Sequence, residues 1–170
     1  GATVGPLQFR RTSFALGIQP FQQAYEQVDV ARRMPSLVTP RSGHSTAIVG
    51  SSLYVVGGVG ATGYLSSIER ATVNGDGSLG EFAIVAGATL TTARAGHVSF
   101  VAGTTVYVVG GNSDGGALST VERATINSDG TLGPFSIATV SLVTARKYSA
   151  GCVVGNALYL VGGAESGALD

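Results

Sequence analysis

A block of about fifty residues is written twice in this chain and begun a third time. Residues 41–85 align without a gap on residues 94–138, with 23 identities in 45 pairs at an offset of 53. A third copy opens at Arg146, after a step of 52. Repetition at this period specifies units that each leave an apolar face for a neighbour to cover, as in a solenoid or a propeller. One ordinary domain, the expectation from 170 residues alone, gives way to a row of equivalent pieces.

Each copy divides into four short strands. Residues 43–49 form the first and recur as 96–102. Residues 52–56 form the second, rich in β-branched and aromatic residues, and recur as 105–109 and 157–161. A glycine pair closes the second strand every time: Gly57-Gly58, Gly110-Gly111 and Gly162-Gly163. The third strand spans 68–73 and 121–126, and the fourth begins at Phe82 and Phe135. Between third and fourth stand Asn74-Gly75-Asp76-Gly77 and Asn127-Ser128-Asp129-Gly130, whose Asp-Gly steps favour tight turns. Such a run shares the start of a calcium loop but lacks the remaining carboxylates and the distal glutamate, so a turn is the better reading. Four antiparallel strands at this period predict a propeller blade.

The residues of the repeat resemble the kelch family. The matching features are Arg-x-Gly-His (Arg41, Gly43, His44; Arg94, Gly96, His97), the Tyr-Val-Val-Gly-Gly ending of the second strand, and the Glu-Arg-Ala of the third. The family's usual fourth-strand Trp is missing, since the chain has none; Phe82 and Phe135 follow a Gly-Ser/Thr-Leu-Gly turn instead. That variant looks like the kelch-type repeats of bacterial surface and secreted proteins. The resemblance implies an all-β kelch-type propeller, a protein-binding role and an extracellular, cell-surface or periplasmic location. The Ser/Thr/Gly/Ala-rich composition with a single lysine is compatible with that location.

The first forty residues fit the same frame. Residues 7–21 have the length of residues 121–135, and both end in Pro-Phe. Residues 7–12 are therefore read as a degenerate third strand and about 21–30 as a fourth, with an extended connection up to residue 42. The expected organisation is a half-blade over 1–42, complete blades over 43–93 and 94–145, and a second half-blade over 146–170. Three blade-equivalents cannot close a ring, since propellers need roughly four to eight blades. Two solutions are expected: further blades of the same polypeptide, or a second copy exchanging half-blades.

Composition excludes several functions. Ten basic and ten acidic residues balance, so no basic stripe exists to release counterions from nucleic acid. A single lysine, Lys147, supplies no electrostatic membrane patch. The longest apolar runs, such as 53–56 and 106–109, fall far short of a transmembrane segment. Cys152 stands alone and is expected to be a small buried residue.

Residues repeated faithfully are assigned to architecture: Arg41, Arg94 and Arg146; His44 and His97; the three glycine pairs; and Glu69 and Glu122. The arginines are expected to fix a loop carbonyl or a carboxylate, the alternative being to line one mouth of the central channel and bind anionic ligands. The histidines are expected to make polar contacts at the inner strand, and one member of each Glu-Arg pair to reach an adjacent blade. A binding surface, needed once, should lie where the copies differ. The loops 59–65, 112–118 and 164–170 do differ, which nominates Tyr64, Asn112, Asp114 and Glu165 as ligand contacts. Arg32 and Arg33 form a basic patch in the N-terminal connection and are nominated as contacts for an acidic partner, a solvated face being the alternative. No catalytic constellation, metal site or cofactor motif is predicted. The expected function is a non-enzymatic scaffold presenting loops to a protein or glycan. The propeller of a carbohydrate-active enzyme and an accessory subunit of a larger assembly are the alternatives. The Tyr–Cys copper site of kelch-type oxidases finds no support in Cys152 and two unclustered histidines.

Overall fold

The computed structural model describes residues 8–9, 26–27, 35–155 and 157–165. The chain divides into two compact units, Gly1–Met34 and Pro35–Asp170. In the first unit β1 (Gln8–Phe9) pairs antiparallel with β2 (Glu26–Gln27). Both fall within the segments expected to be strands; the rest of that half-blade, with Arg32 and Arg33, lies outside the described residues.

The second unit is an open run of propeller blades. Its first sheet joins β3 (Ser45–Val49), β4 (Ser52–Val56), β7 (Ile68–Thr72) and β8 (Ala83–Ile84) in that order, each antiparallel to the next. Its second joins β9 (Val98–Ala102), β10 (Thr105–Val109), β13 (Thr120–Thr125) and β14 (Ser136–Ser141) in the same order. The third copy is a two-stranded sheet, β15 (Ala150–Val154) against β16 (Ala157–Val161). No helix occurs among the described residues. Register repeats with the sequence: Val55 faces Glu69 in the first blade, and Val108 faces Glu122 in the second.

The second strands have the predicted bounds in all three copies, because Ser-Leu-Tyr-Val-Val and its counterparts are made of strand formers. The first strands start two residues later than expected. Gly43 and Gly96 sit at φ 60° and 62°, outside strand geometry. From there Gly96 donates its N–H to the Gly43 carbonyl at 2.7 Å, and Tyr148 to the Gly96 carbonyl at 2.7 Å, stitching successive copies. Tyr148 keeps this path at φ 58°, although a residue with a Cβ pays about 1–2 kcal/mol there. The fourth strands differ in length, two residues in β8 and six in β14.

The loops after the second strands are not plain loops. Those of the first two copies hold a miniature hairpin each: β5 (Val59–Gly60) with β6 (Gly63–Tyr64), and β11 (Asn112–Ser113) with β12 (Gly116–Ala117). The Asn-x-Asp-Gly segments are turns. Asp129 Oδ1 accepts from the Thr131 amide at 2.9 Å and the Thr131 hydroxyl at 2.6 Å, which holds its carboxyl below the ordinary value. Ser78 caps Asp76 in the same way at 2.9 and 2.6 Å.

One apolar core runs across the first two blades. Tyr54, Val56 and Ile68 of the first pack with Val106, Val108, Ala124, Leu132 and Phe135 of the second. The Tyr54 hydroxyl donates to the Gly130 carbonyl at 2.9 Å, so the second blade's turn caps the first blade's face. Tyr54 and Val56 are 0% exposed; their counterparts Tyr159 and Val161 are 52% and 66% exposed. Nothing described covers the third copy as the second covers the first. Cys152, expected buried, is for the same reason an exposed free cysteine.

Candidate functional site

Loop geometry is set by the start of each repeat. Ser42 bridges to Val59, Ala95 to Asn112 and Lys147 to Ala164, so the approach to every first strand pairs with the loop leaving the second. That lays the miniature hairpins side by side at one end of the blades. Tyr64, at the end of β6, reaches the next repeat, where Asn112 Nδ2 donates to its hydroxyl. The counterparts of this pair are Ala117 for Tyr64, and Val59 and Ala164 for Asn112, none of which has a polar side chain. Thus two of the nominated residues meet each other at the place where the copies diverge. Asn112 Oδ1 is buried there without a partner. Asp114 is exposed at the tip between β11 and β12, and Glu165 is exposed just beyond the third bridge.

Beneath the loops lies a polar latch that the sequence did not reveal as a unit. Arg94 Nη1 donates to the Gly110 carbonyl at 2.9 Å, and Arg94 Nη2 to Glu122 Oε1 at 2.6 Å. Glu122 also accepts the amides of Thr91 at 2.7 Å and Thr92 at 2.9 Å, which close the preceding repeat. Both charged side chains are 0% exposed. Burial draws the Arg94 pKa down, and the charge and hydrogen bond of Glu122 oppose that shift. The first repeat builds the same latch: Arg41 bonds the Gly57 carbonyl at 2.8 Å and Glu69 at 2.6 Å, while Glu69 takes the amides of Val38 and Thr39. A buried pair with every oxygen satisfied fixes one arrangement of neighbouring units. In each Glu-Arg pair the glutamate is the member that grips the preceding segment.

The glycine pairs complete the junction. Gly58 donates to the Arg94 carbonyl at 2.8 Å and Gly111 to the Arg146 carbonyl at 2.9 Å, crossing to the next repeat each time. At Gly110, φ is 64° and an added Cβ would lie 2.6 Å from the Arg146 carbonyl oxygen. Gly110→Ala is therefore expected to cost on the order of 2–3 kcal/mol, from left-handed strain and forced separation of the two repeats. Gly103→Ala, at φ 56° with nothing within 4 Å of the added carbon, should cost about 1 kcal/mol. Urea unfolding of both variants separates strain from the close approach; equal losses would remove the junction from the account.

The polar contacts expected of the histidines are present only in part, the Val56 backbone lying beside the His97 ring. His97 is buried, and neither ring nitrogen has a hydrogen bond of normal geometry; His44 Nδ1 likewise has none. The His97 ring fills space left by glycine, since a Cβ on Gly57 would approach its Cε1 to 2.9 Å. Its pKa is lowered to about 3, by burial first and then by the charge of Arg94; the Val56 backbone favours the cation without offsetting them. Nearby, the hydroxyls of Ser45 and Ser99 bond across the first strands of adjacent blades.

Residues 40–70 match the Kelch motif. The matched segment contains Arg41, the glycine pair Gly57-Gly58 and Glu69 of the first repeat's latch; the amides of Val38 and Thr39 that Glu69 accepts lie just before it. No curated protein matches the chain. The second blade repeats the register and latch of that segment outside the matched residues. Kelch repeats build propeller modules for protein interaction. Among the described residues no three His, Cys, Asp or Glu side chains group as metal ligands. No helix there is long and apolar enough to cross a membrane.

Proposed function

We propose that this chain is a Kelch propeller module that binds a protein or glycan through the β5–β6 and β11–β12 hairpins, acting as a scaffold and not as a catalyst. The observation that carries this reading is the Tyr64–Asn112 bond. It joins two hairpins at positions where the repeats differ from one another. Rigid blades hold the hairpins, and the exposed Asp114 projects beside the joined pair. An ordered, polar and locally unique surface on a repetitive frame has the form of a recognition site. The bacterial-type fourth strand and the lysine-poor composition favour action at the cell surface or in an extracellular space.

The test compares the chain with a Tyr64→Ala/Asn112→Ala/Asp114→Ala variant on a glycan array and in crosslinking capture from extracellular extracts. A ligand retained by the parent and lost, by tenfold or more, in a variant with an unchanged circular dichroism spectrum is the expected result. Ligands captured equally by both proteins would move the site away from these hairpins.

A further inference from the structure

The two turns between third and fourth strands are built alike but differ in the residue after the asparagine. In the first, Asn74 Nδ2 donates to Ser78 Oγ at 2.9 Å, and Ser78 Oγ gives its own proton to Asp76 Oδ1 at 2.6 Å. In the second, Asn127 Nδ2 donates to Thr131 Oγ1 at 2.9 Å, and that hydroxyl donates to Asp129 Oδ1 at 2.6 Å. The backbones agree as well, since the Asn74 and Asn127 carbonyls accept the amides of Gly77 and Gly130 at 2.9 Å each. Gly75 follows Asn74, whereas Ser128 follows Asn127.

We propose that Asn74 is a site of spontaneous modification, where the Asn74-Gly75 step deamidates to aspartate and isoaspartate. The Gly75 amide nitrogen bonds to Asn74 Cγ, its proton leaves with the side-chain NH₂ as ammonia, and a cyclic imide closes. Water then opens the imide at either carbonyl and leaves one carboxylate. In the isoaspartate product the main chain runs through the former side-chain carbonyl. Three observations favour this step at Asn74. Asn74 and Gly75 are both exposed, so water reaches the site. The Gly75 N–H donates no backbone hydrogen bond among the described residues, so the attack breaks none. A Cβ added to Gly75 would meet nothing within 4 Å, so the imide has room to close, and Gly75 itself leaves its nitrogen unshielded. Ser128 sets a Cβ and a hydroxyl beside the corresponding nitrogen.

The product undoes the turn that formed it. Ser78 Oγ has one proton, already committed to Asp76, so it accepts from Asn74 but cannot donate to a carboxylate standing in its place. Deamidation sets the new charge against the Ser78 oxygen and near the Asp76 carboxyl. The strand beyond the turn is β8, two residues long against six in β14, with two registered pairs on β7. An altered turn therefore releases the edge strand of the first blade.

Peptide mapping of the intact chain, aged at mildly alkaline pH, reads the modification as a gain of about 1 Da with isoaspartyl methyltransferase labelling. Asn74 is expected to convert about tenfold faster than Asn127, with Gly75→Ser bringing it down to the Asn127 rate and Ser128→Gly raising Asn127 to match. Equal conversion at the two asparagines, or an Asn74 rate unmoved by Gly75→Ser, overturns the proposal. Asn74→Asp, which installs the charge without rerouting the main chain, is expected to speed proteolytic nicking between Asp76 and Ile84 severalfold. Nicking no faster than in the parent overturns the release of β8.

Discussion

Glu122→Ala is expected to lower the unfolding free energy by about 3–5 kcal/mol, the largest loss for a single substitution in the second repeat. The change leaves the Arg94 guanidinium fully buried without its counter-ion and strips the Thr91 and Thr92 amides of their acceptor. A lone buried charge is far more costly than an absent pair. Arg94→Met/Glu122→Leu should accordingly lose less than Glu122→Ala alone, despite removing more polar atoms. Arg146→Ala supplies the internal control, since that guanidinium is half-exposed with no carboxylate among the described residues. Urea denaturation at pH 7 measures all three. A Glu122→Ala loss below about 1 kcal/mol would reduce the latch to the standing of a surface ion pair.

Acidification should destabilise the fold through His97. Its folded pKa of about 3 lies below the ordinary 6.5, so the unfolded chain binds the proton first. The stability gained by keeping the ring neutral is complete above pH 6.5 and is lost as pH falls from there towards 3. At about 1.4 kcal/mol per pH unit, the full window amounts to on the order of 5 kcal/mol, and about 3 of these are gone by pH 4. His97→Ser, the residue that the third copy carries as Ser149, is the comparison. It is less stable at pH 7 through lost packing, yet its stability should fall less steeply between pH 6.5 and 4. Parallel pH profiles for parent and variant would show that the ring titrates normally in the folded chain.

How much could be read in the sequence varies with the range of the interaction. The second strands and their glycine pairs were legible to the residue, since composition and turn chemistry act over five to seven positions. The starts of the first strands were not, because Gly43 and Gly96 leave strand geometry to bond the neighbouring copy, a contact 53 residues distant. The recurrence of Arg41, Arg94, Glu69 and Glu122 was visible, and so was their assignment to architecture. Their direct pairing was not, because arginine and glutamate stand 28 positions apart and only the folded sheet brings them together. Divergence between copies pointed to Tyr64, Asn112 and Asp114 but could not say that the first two touch. Cys152 misled because an apolar neighbourhood in sequence buries a side chain only when something lies over it.

Each of the two complete units carries connections on opposite sides, its glutamate accepting the amides of the segment before and its second glycine donating to the arginine carbonyl of the unit after. Duplication of the stretch between them copies both at once, and the inserted piece meets ready-made connections at each end. A gene assembled from such stretches can lengthen by whole increments without new compensating changes.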